Sequence, residues 1–301
     1  MDRKKILAIV GPTGIGKTSL SIRLAKLFDG EIISCDSMQV YKQMNIGTAK
    51  VTEREKEGIP HYLLDEQEYD EPYNVMIFQT KCRDAIQTIQ EKNKLPILCG
   101  GTGLYLKAAL YDYEFEEEQE DTEYTAYLHS LSNEQLVELL KQKDEKALEK
   151  IHPNNRKRVI RALQIAHSGK NKTQREEEQS HEPLYDIFFL GLDIDRDILH
   201  ERINKRVDLM FKEGLVKEVE ELFSDPQTWG YTSFQGIGYK EFKEYFEHIR
   251  TLEEVKDKIK VHSRQYAKRQ YTWFKNQMKV HWFDREDEEQ IVKSVKAWLY
   301  E

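Results

Sequence analysis

The stretch that most constrains the fold lies near the start of the chain, where KKILAIV runs directly into GPTGIGKT. A short apolar run reads as a buried strand. The glycine-rich turn then opens SLSIRLAKLF, whose apolar residues recur at helical spacing. Gly11, Gly14 and Gly16 let the backbone bend until successive N–H groups face one concavity, and the adjoining helix N-terminus adds positive potential. Pro12, Thr13 and Ile15 complete the loop, Lys17 supplies a mobile cation, and the Thr18 hydroxyl is placed to ligate the Mg²⁺ that accompanies a di- or triphosphate. A strand, this turn and a helix in that order form a phosphate cradle.

The next hundred residues continue the alternation. Strands are expected over residues 6–10, 31–35 and 95–99, and helices over 17–28 and 74–92, with a loop-rich stretch up to about Tyr73. Asn74 is placed to cap the second helix, and Val75, Phe78, Cys82, Ala85, Ile86 and Ile89 form its apolar stripe. This order argues for an α/β fold, a parallel sheet of the P-loop NTPase type with helices on both faces. Between about Tyr113 and Pro183 the strands disappear, and helices are expected over 133–143, 145–150 and 155–168, ending at Gly169. YDIFFLGLDI (185–194) reads as a return to the sheet, and everything from Asp195 onward reads as helix. The expected organisation is a catalytic core of residues 1–112 and 184–301, with a helical C-terminal region, and an all-helical insertion over 113–183.

A chain of 301 residues can bury a sizeable core, and 33% charged residues with only 15 Gly and 7 Pro suit an ordered, helix-rich enzyme. No apolar run reaches the ~20 residues of a membrane span. The first strand begins at once with no leader sequence, so a cytoplasmic, monomeric protein is expected. Cys35, Cys82 and Cys99 match no metal spacing, and the histidines form no paired pattern, so no structural zinc is expected. Net charge is −8, yet it is segregated. EFEEEQEDTE (114–123) is acidic, whereas RKRVIRALQIAHSGKNKTQR carries seven basic residues and no acid. The segment 258–279 is also basic, with aromatics between the cations. Such local basic faces are what a nucleic acid would meet.

Three turns follow strand ends, where open α/β sheets bind their ligands. The first is the phosphate loop. The second is Asp36-Ser37-Met38-Gln39, whose carboxylate reads as a Mg²⁺ holder, as a general base or as a structural cap. The third is GGTGLY with Thr102, which reads as a ligand contact or a tight turn. Arg202 and Arg206 share a helix face and read as a surface pair or as cations facing a diphosphate.

Taken together, GPTGIGKT, DSMQVYKQMNIGTAK, HYLLD, GGTGLYLKA, RKRVIRAL, RVDLM, GIGYKE and RQYAKRQYTWF resemble, in order and over nearly the whole chain, the tRNA dimethylallyltransferases, also called tRNA isopentenyltransferases. The C-terminal zinc-finger extension of eukaryotic members has no counterpart, so the chain looks bacterial. The resemblance implies transfer of a dimethylallyl group from dimethylallyl diphosphate to N6 of adenosine 37 in the tRNA anticodon stem-loop, with the phosphate loop holding the donor's diphosphate. It implies Asp36 as general base and Thr13 at the diphosphate and bridging oxygen. Lys17 and Thr18 would bind diphosphate and Mg²⁺, with Arg206 offsetting the leaving-group charge and Arg202 as its near alternative. Thr102 and the Asp36–Gln39 turn would line the adenine channel. Arg158, Val159, Ile160 and Arg161 on the insertion, with Arg264, Lys268 and Arg269 near the C-terminus, would grip the RNA.

Three other functions compete. An adenylate isopentenyltransferase needs neither the insertion nor the basic C-terminal helix. A P-loop small-molecule kinase would carry an arginine lid and a nucleoside pocket. A non-catalytic RNA-binding protein has no use for Gly-Lys-Thr, Asp36 and Thr102 at successive strand ends.

Overall fold

In a computed structural model of the protein, which describes residues 3–115, 121–167 and 182–301, the chain divides into two compact units. Unit one combines Met1–Tyr111 with Pro183–Glu301, and unit two is Asp112–Glu182.

Unit one is built on a sheet that, among the described residues, has six strands: β1 (Lys5–Val10), β2 (Gly30–Ser34), β3 (His61–Tyr62), β4 (Leu95–Cys99), β5 (Asp186–Asp193) and β6 (His281–Asp284). Their order is β3-β2-β4-β1-β5-β6 and every pairing is parallel. β1 is central, with Leu7 level with Ile97 on one side and Phe188 on the other. The period of two sends Ile6, Ala8 and Val10 into one core and Leu7 and Ile9 into the other. Burial on both faces is why KILAIV reads as a continuous apolar run.

The first core packs beneath α3 (Val75–Glu91), α4 (Gly103–Leu110) and the long α12 (Leu252–Gln277), and the second beneath α1 (Lys17–Leu27) and α13 (Glu288–Tyr300). Asn74 caps α3 by accepting from the Met76 and Ile77 N–H groups, a contribution of about 1 kcal/mol. Phe78, Cys82, Ala85, Ile86 and Ile89 bury the expected stripe. The stretch read as loop contains the short α2 (Glu53–Lys56), with a Thr52–Glu55 capping box, as well as β3.

The expectation of an all-helical C-terminal region is corrected by β6. HWFD pairs with β5, Trp282 packing into one core and Phe283 into the other. An edge strand paired on one side needs only these few residues, so its apolar signal is short. Ahead of it, α9 (Arg196–Glu213) and α10 (Leu215–Phe223) lead into 3-10 turns at Pro226–Gly230, Ser233–Gln235 and Lys240–Phe242, and then into α11 (Lys243–Phe246).

Unit two contains α5 (Thr122–Ser130), α6 (Asn133–Asp144), α7 (Ala147–Lys150) and α8 (Arg156–His167). Its own core gathers Leu128, Leu136, Leu140, Ile151, Val159 and Leu163. Asp121 caps α5, a helix absent from the expected set, and Ser132 with Gln135 forms a capping box on α6. The expected end of the last helix at Ser168 and Gly169, and residues 116–120 of the acidic block, lie outside the described residues.

Candidate active site

The C-terminal ends of β2, β4 and β1 are adjacent in the sheet, so the three turns singled out in the sequence converge. The Thr102 N–H donates to Cys35 O at 3.3 Å and the Gly100 N–H to Ile9 O at 3.2 Å, which ties the GGTG turn to both neighbours. In the phosphate loop Gly14 and Gly16 have φ of 83° and 107°, a region open to glycine at little cost. Ile15 is fully buried in the core, so it serves an anion through its backbone alone. Lys17 Nζ donates to Gly11 O at 3.0 Å and Pro12 O at 2.9 Å, folded back on its own loop. Burial pulls its pKa down to about 8, with Cys99 and Asp36 opposing the shift.

The two arginines of α9 both reach the loop. Arg206 Nη2 donates to Thr13 Oγ1 at 2.7 Å, and Arg202 Nε donates to Gly14 O at 3.0 Å. Burial lowers the pKa of the Arg206 guanidinium while Asp36 pulls it back up, and its Nε has no hydrogen-bond partner among the described residues. Asp36 itself accepts from the Met38 N–H at 2.9 Å, so the structural turn contact is made while the carboxylate still lines the site.

Two cavities meet here. One, of about 280 Å³, runs from Lys17, Thr18 and Arg202 to an apolar end at Ile32, Val51 and Leu64. The other, of about 260 Å³, is walled by Ser37, Met38, Met210, Tyr266 and Arg269. Thr13, Asp36, Thr48 and Arg206 line both. A phosphate-binding chamber with a short hydrocarbon end thus shares a carboxylate, a hydroxyl and a guanidinium with a second chamber suited to a flat ligand.

Against known proteins, the family model described as IPP transferase matches residues 39–277. The chain belongs to the IPP transferase family. A Bacillus anthracis tRNA dimethylallyltransferase is 48% identical over 298 residues, covering 96% of this chain and 93% of the relative. The crystal structure of a Staphylococcus epidermidis tRNA delta(2)-isopentenylpyrophosphate transferase superposes with a TM-score of 0.72 at 42% identity, covering 98% of this chain and 99% of that one. A eukaryotic dimethylallyltransferase described as acting on tRNA gives a TM-score of 0.82 at 33% identity, over 95% of this chain and 75% of that one. The parallel sheet with flanking helices is therefore the P-loop-like architecture of the IPP transferases.

Within this IPP transferase scaffold the remaining sequence candidates separate. Gln39 lines the first chamber and Ser37, Met38 and Arg269 the second. Thr102 lines neither. Its hydroxyl is buried beside Tyr266, whose own hydroxyl burial and Asp36 push up to about 12. Arg264 and Lys268 flank a separate groove of about 610 Å³ along α12. Val159 and Ile160 are taken up by the core of unit two, which leaves the candidate RNA contacts there to Arg158 and Arg161.

Gln270 escaped sequence reasoning. Its Oε1 accepts from the Thr13 N–H at 2.8 Å and its Nε2 donates to Gly101 O at 3.0 Å, bracing two of the three turns from α12. A Cβ on Gly101 would lie 1.9 Å from that Nε2, so glycine is required there. The available signal was a polar residue in line with Ser263, Ala267 and Phe274 on the buried stripe of the helix. Arg285, whose Nε lies 2.9 Å from where a Gly16 Cβ would stand, follows the unexpected β6 and carried no such signal.

Proposed function

We propose that the protein transfers a dimethylallyl group from dimethylallyl diphosphate to N6 of the adenosine at position 37 of tRNA, releasing diphosphate. The observation that carries this reading is the pair of chambers sharing Thr13, Asp36 and Arg206. One suits a diphosphate with a five-carbon tail and the other an extruded base, so the two reacting atoms would meet at a carboxylate and a buried guanidinium.

The N6 lone pair attacks C1 of the donor, the N6–C1 bond forms, and the C1–oxygen bond breaks with its electron pair leaving on the diphosphate. Asp36 orients the amine and takes its proton. The Thr13 hydroxyl, held by Arg206, stands at the bridging oxygen, and the loop N–H groups, Lys17 and Arg206 stabilise the charge that develops there. Arg202 supports the loop at Gly14. Pulling a base from the anticodon loop costs a few kcal/mol, offset by chamber and backbone contacts.

The donor set fits Mg²⁺ better than a softer ion. No group of three or more His, Cys, Asp or Glu able to hold a metal occurs among the described residues, and the first chamber offers the Thr18 hydroxyl and the Asp36 carboxylate. Mg²⁺ takes few protein ligands and completes its shell with phosphate oxygens and water. Thr18 would hold it, and its chemistry would be charge neutralisation on the diphosphate.

The anticodon stem-loop would be bound by the Asp36–Gln39 turn, by Arg264, Lys268 and Arg269 on α12, and by Arg158 and Arg161 on α8. A polyanionic partner fits these local cations despite the net charge of −8. No described helix is long and apolar enough to cross a membrane. We assign the activity to the cytoplasm, where tRNA is found.

The test is transfer of radiolabelled dimethylallyl from its diphosphate, with Mg²⁺, to unmodified tRNA and to AMP in parallel. Label at the adenosine beside the anticodon supports the reading. Label only in AMP indicates an adenylate isopentenyltransferase, and label in neither removes prenyl transfer.

A further inference from the structure

Between Asp36 and Thr52 the chain has no long element to hold it, yet this segment supplies a wall of both chambers. Thr48 and Ala49 line the first, and Gly47 and Thr48 the second. What fixes it comes from far along the sequence. The N–H groups of Asn45 and Ile46 both donate to Glu218 Oε2, at 2.9 and 2.7 Å, and the Gly47 N–H donates to Oε1 at 2.9 Å. The Tyr239 hydroxyl donates to the same Oε1 at 2.7 Å. Three consecutive amides converging on one point make an anion nest, and here the anion is a side chain of α10.

Four donors occupy both carboxylate oxygens, so the contact is saturated and directional. Tyr239 is fully buried, and a Cβ on Gly47 would come within 2.5 Å of its ring, so only glycine lets the loop lie against it. The loop in turn holds a chamber residue, since Gln39 Nε2 donates to Thr48 O at 3.2 Å.

We propose that Glu218 is a positioning residue for the transfer reaction: by filling the nest of Asn45, Ile46 and Gly47 it sets the wall that aligns the acceptor base with the donor. It touches neither substrate. The inference rests on the transferase reading above. Misalignment by about 1 Å costs on the order of a hundredfold in rate, so removing the carboxylate acts on kcat more than on binding.

The experiment compares wild type, Glu218→Ala and Tyr239→Phe in dimethylallyl transfer to unmodified tRNA, with melting temperatures alongside. The expected result for Glu218→Ala is a kcat lower by about 10²-fold with KM for tRNA little changed. Acetate should restore part of that kcat by reoccupying the vacated nest, while leaving the wild type unaffected and doing more than chloride at equal ionic strength. Tyr239→Phe keeps the carboxylate and loses less. A kcat for Glu218→Ala within twofold of wild type overturns the proposal. So does a loss that acetate does not repair and that follows the fraction of folded protein. Should the alanine variant not fold, Glu218→Gln carries the test. It keeps the size and one acceptor oxygen but turns an N–H₂ toward an amide donor, so a reduced kcat at an unchanged melting temperature supports the proposal and an unchanged kcat overturns it. Wild-type protein that does not modify tRNA would instead overturn the proposed function.

Discussion

Arg206 Nη2 donates to the Thr13 hydroxyl at 2.7 Å, joining residues 193 positions apart in the sequence. The bond draws α9 onto the phosphate loop and leaves the Arg206 Nε with no partner among the described residues. A guanidinium buried in this way is poised for an incoming anion. Arg206→Ala should therefore lower kcat by about 10²- to 10³-fold. Arg202→Ala, which loses a carbonyl contact at Gly14, should act mainly on KM for the donor. Steady-state kinetics with varied dimethylallyl diphosphate separates the two, and equal effects on kcat would make the arginines interchangeable.

Asp36→Ala should reduce transfer by about 10²- to 10⁴-fold, the range of a general base, while tRNA affinity stays close to that of the wild type. A filter-binding titration beside the transfer assay checks this. A matching loss of affinity would make Asp36 an RNA contact and not a base.

Lys17 sets a pH dependence. Burial holds its pKa at about 8 with no donor bound, and a diphosphate is held by the ammonium form. As pH rises through about 8 the free enzyme loses that proton, so kcat/KM for the donor falls on the alkaline side. The bound diphosphate favours the ammonium, which moves the corresponding limb of kcat to higher pH. Arginine does not deprotonate in this range, so Lys17→Arg should lack the limb near pH 8 whatever its absolute rate.

Charge reversal at Arg158 and Arg161 should weaken tRNA binding and flatten its dependence on salt. Each phosphate contact removed lowers the slope of log K against log salt by roughly one. Transfer at saturating tRNA should change less. An unchanged slope would remove α8 from the RNA interface.

The parts of the fold that were readable in the sequence are those in which one local rule dominates. β1 and β4 are buried on both faces and show as apolar runs, and α3 shows both its stripe and its Asn74 cap. The convergence of three turns followed from where parallel strands end. β6 stayed hidden because a four-residue edge strand has no period long enough to distinguish it from a helix end. Glu218 and Gln270 stayed hidden for a different reason. Glu218 looks like one more charge on an amphipathic helix, and its partners are backbone amides that no side-chain pattern encodes. Val159 and Ile160 mark the reverse case, a basic segment whose apolar members serve the core between the arginines.

The position of β1 has a bearing on how the protein is made. Its neighbour β4 is translated within the first third of the chain, but β5 on its other side begins only after all of Asp112–Glu182 has been added. While the ribosome works through that interval, one edge of the most apolar strand has no partner and can pair with another nascent chain. The intervening residues have a core of their own and can collapse without waiting for β5. The sheet is complete only when β6 and α13 follow at the very end of synthesis. Truncation after residue 182 should therefore yield aggregates with a folded helical segment, and loss of the last twenty residues should leave β5 as the exposed edge.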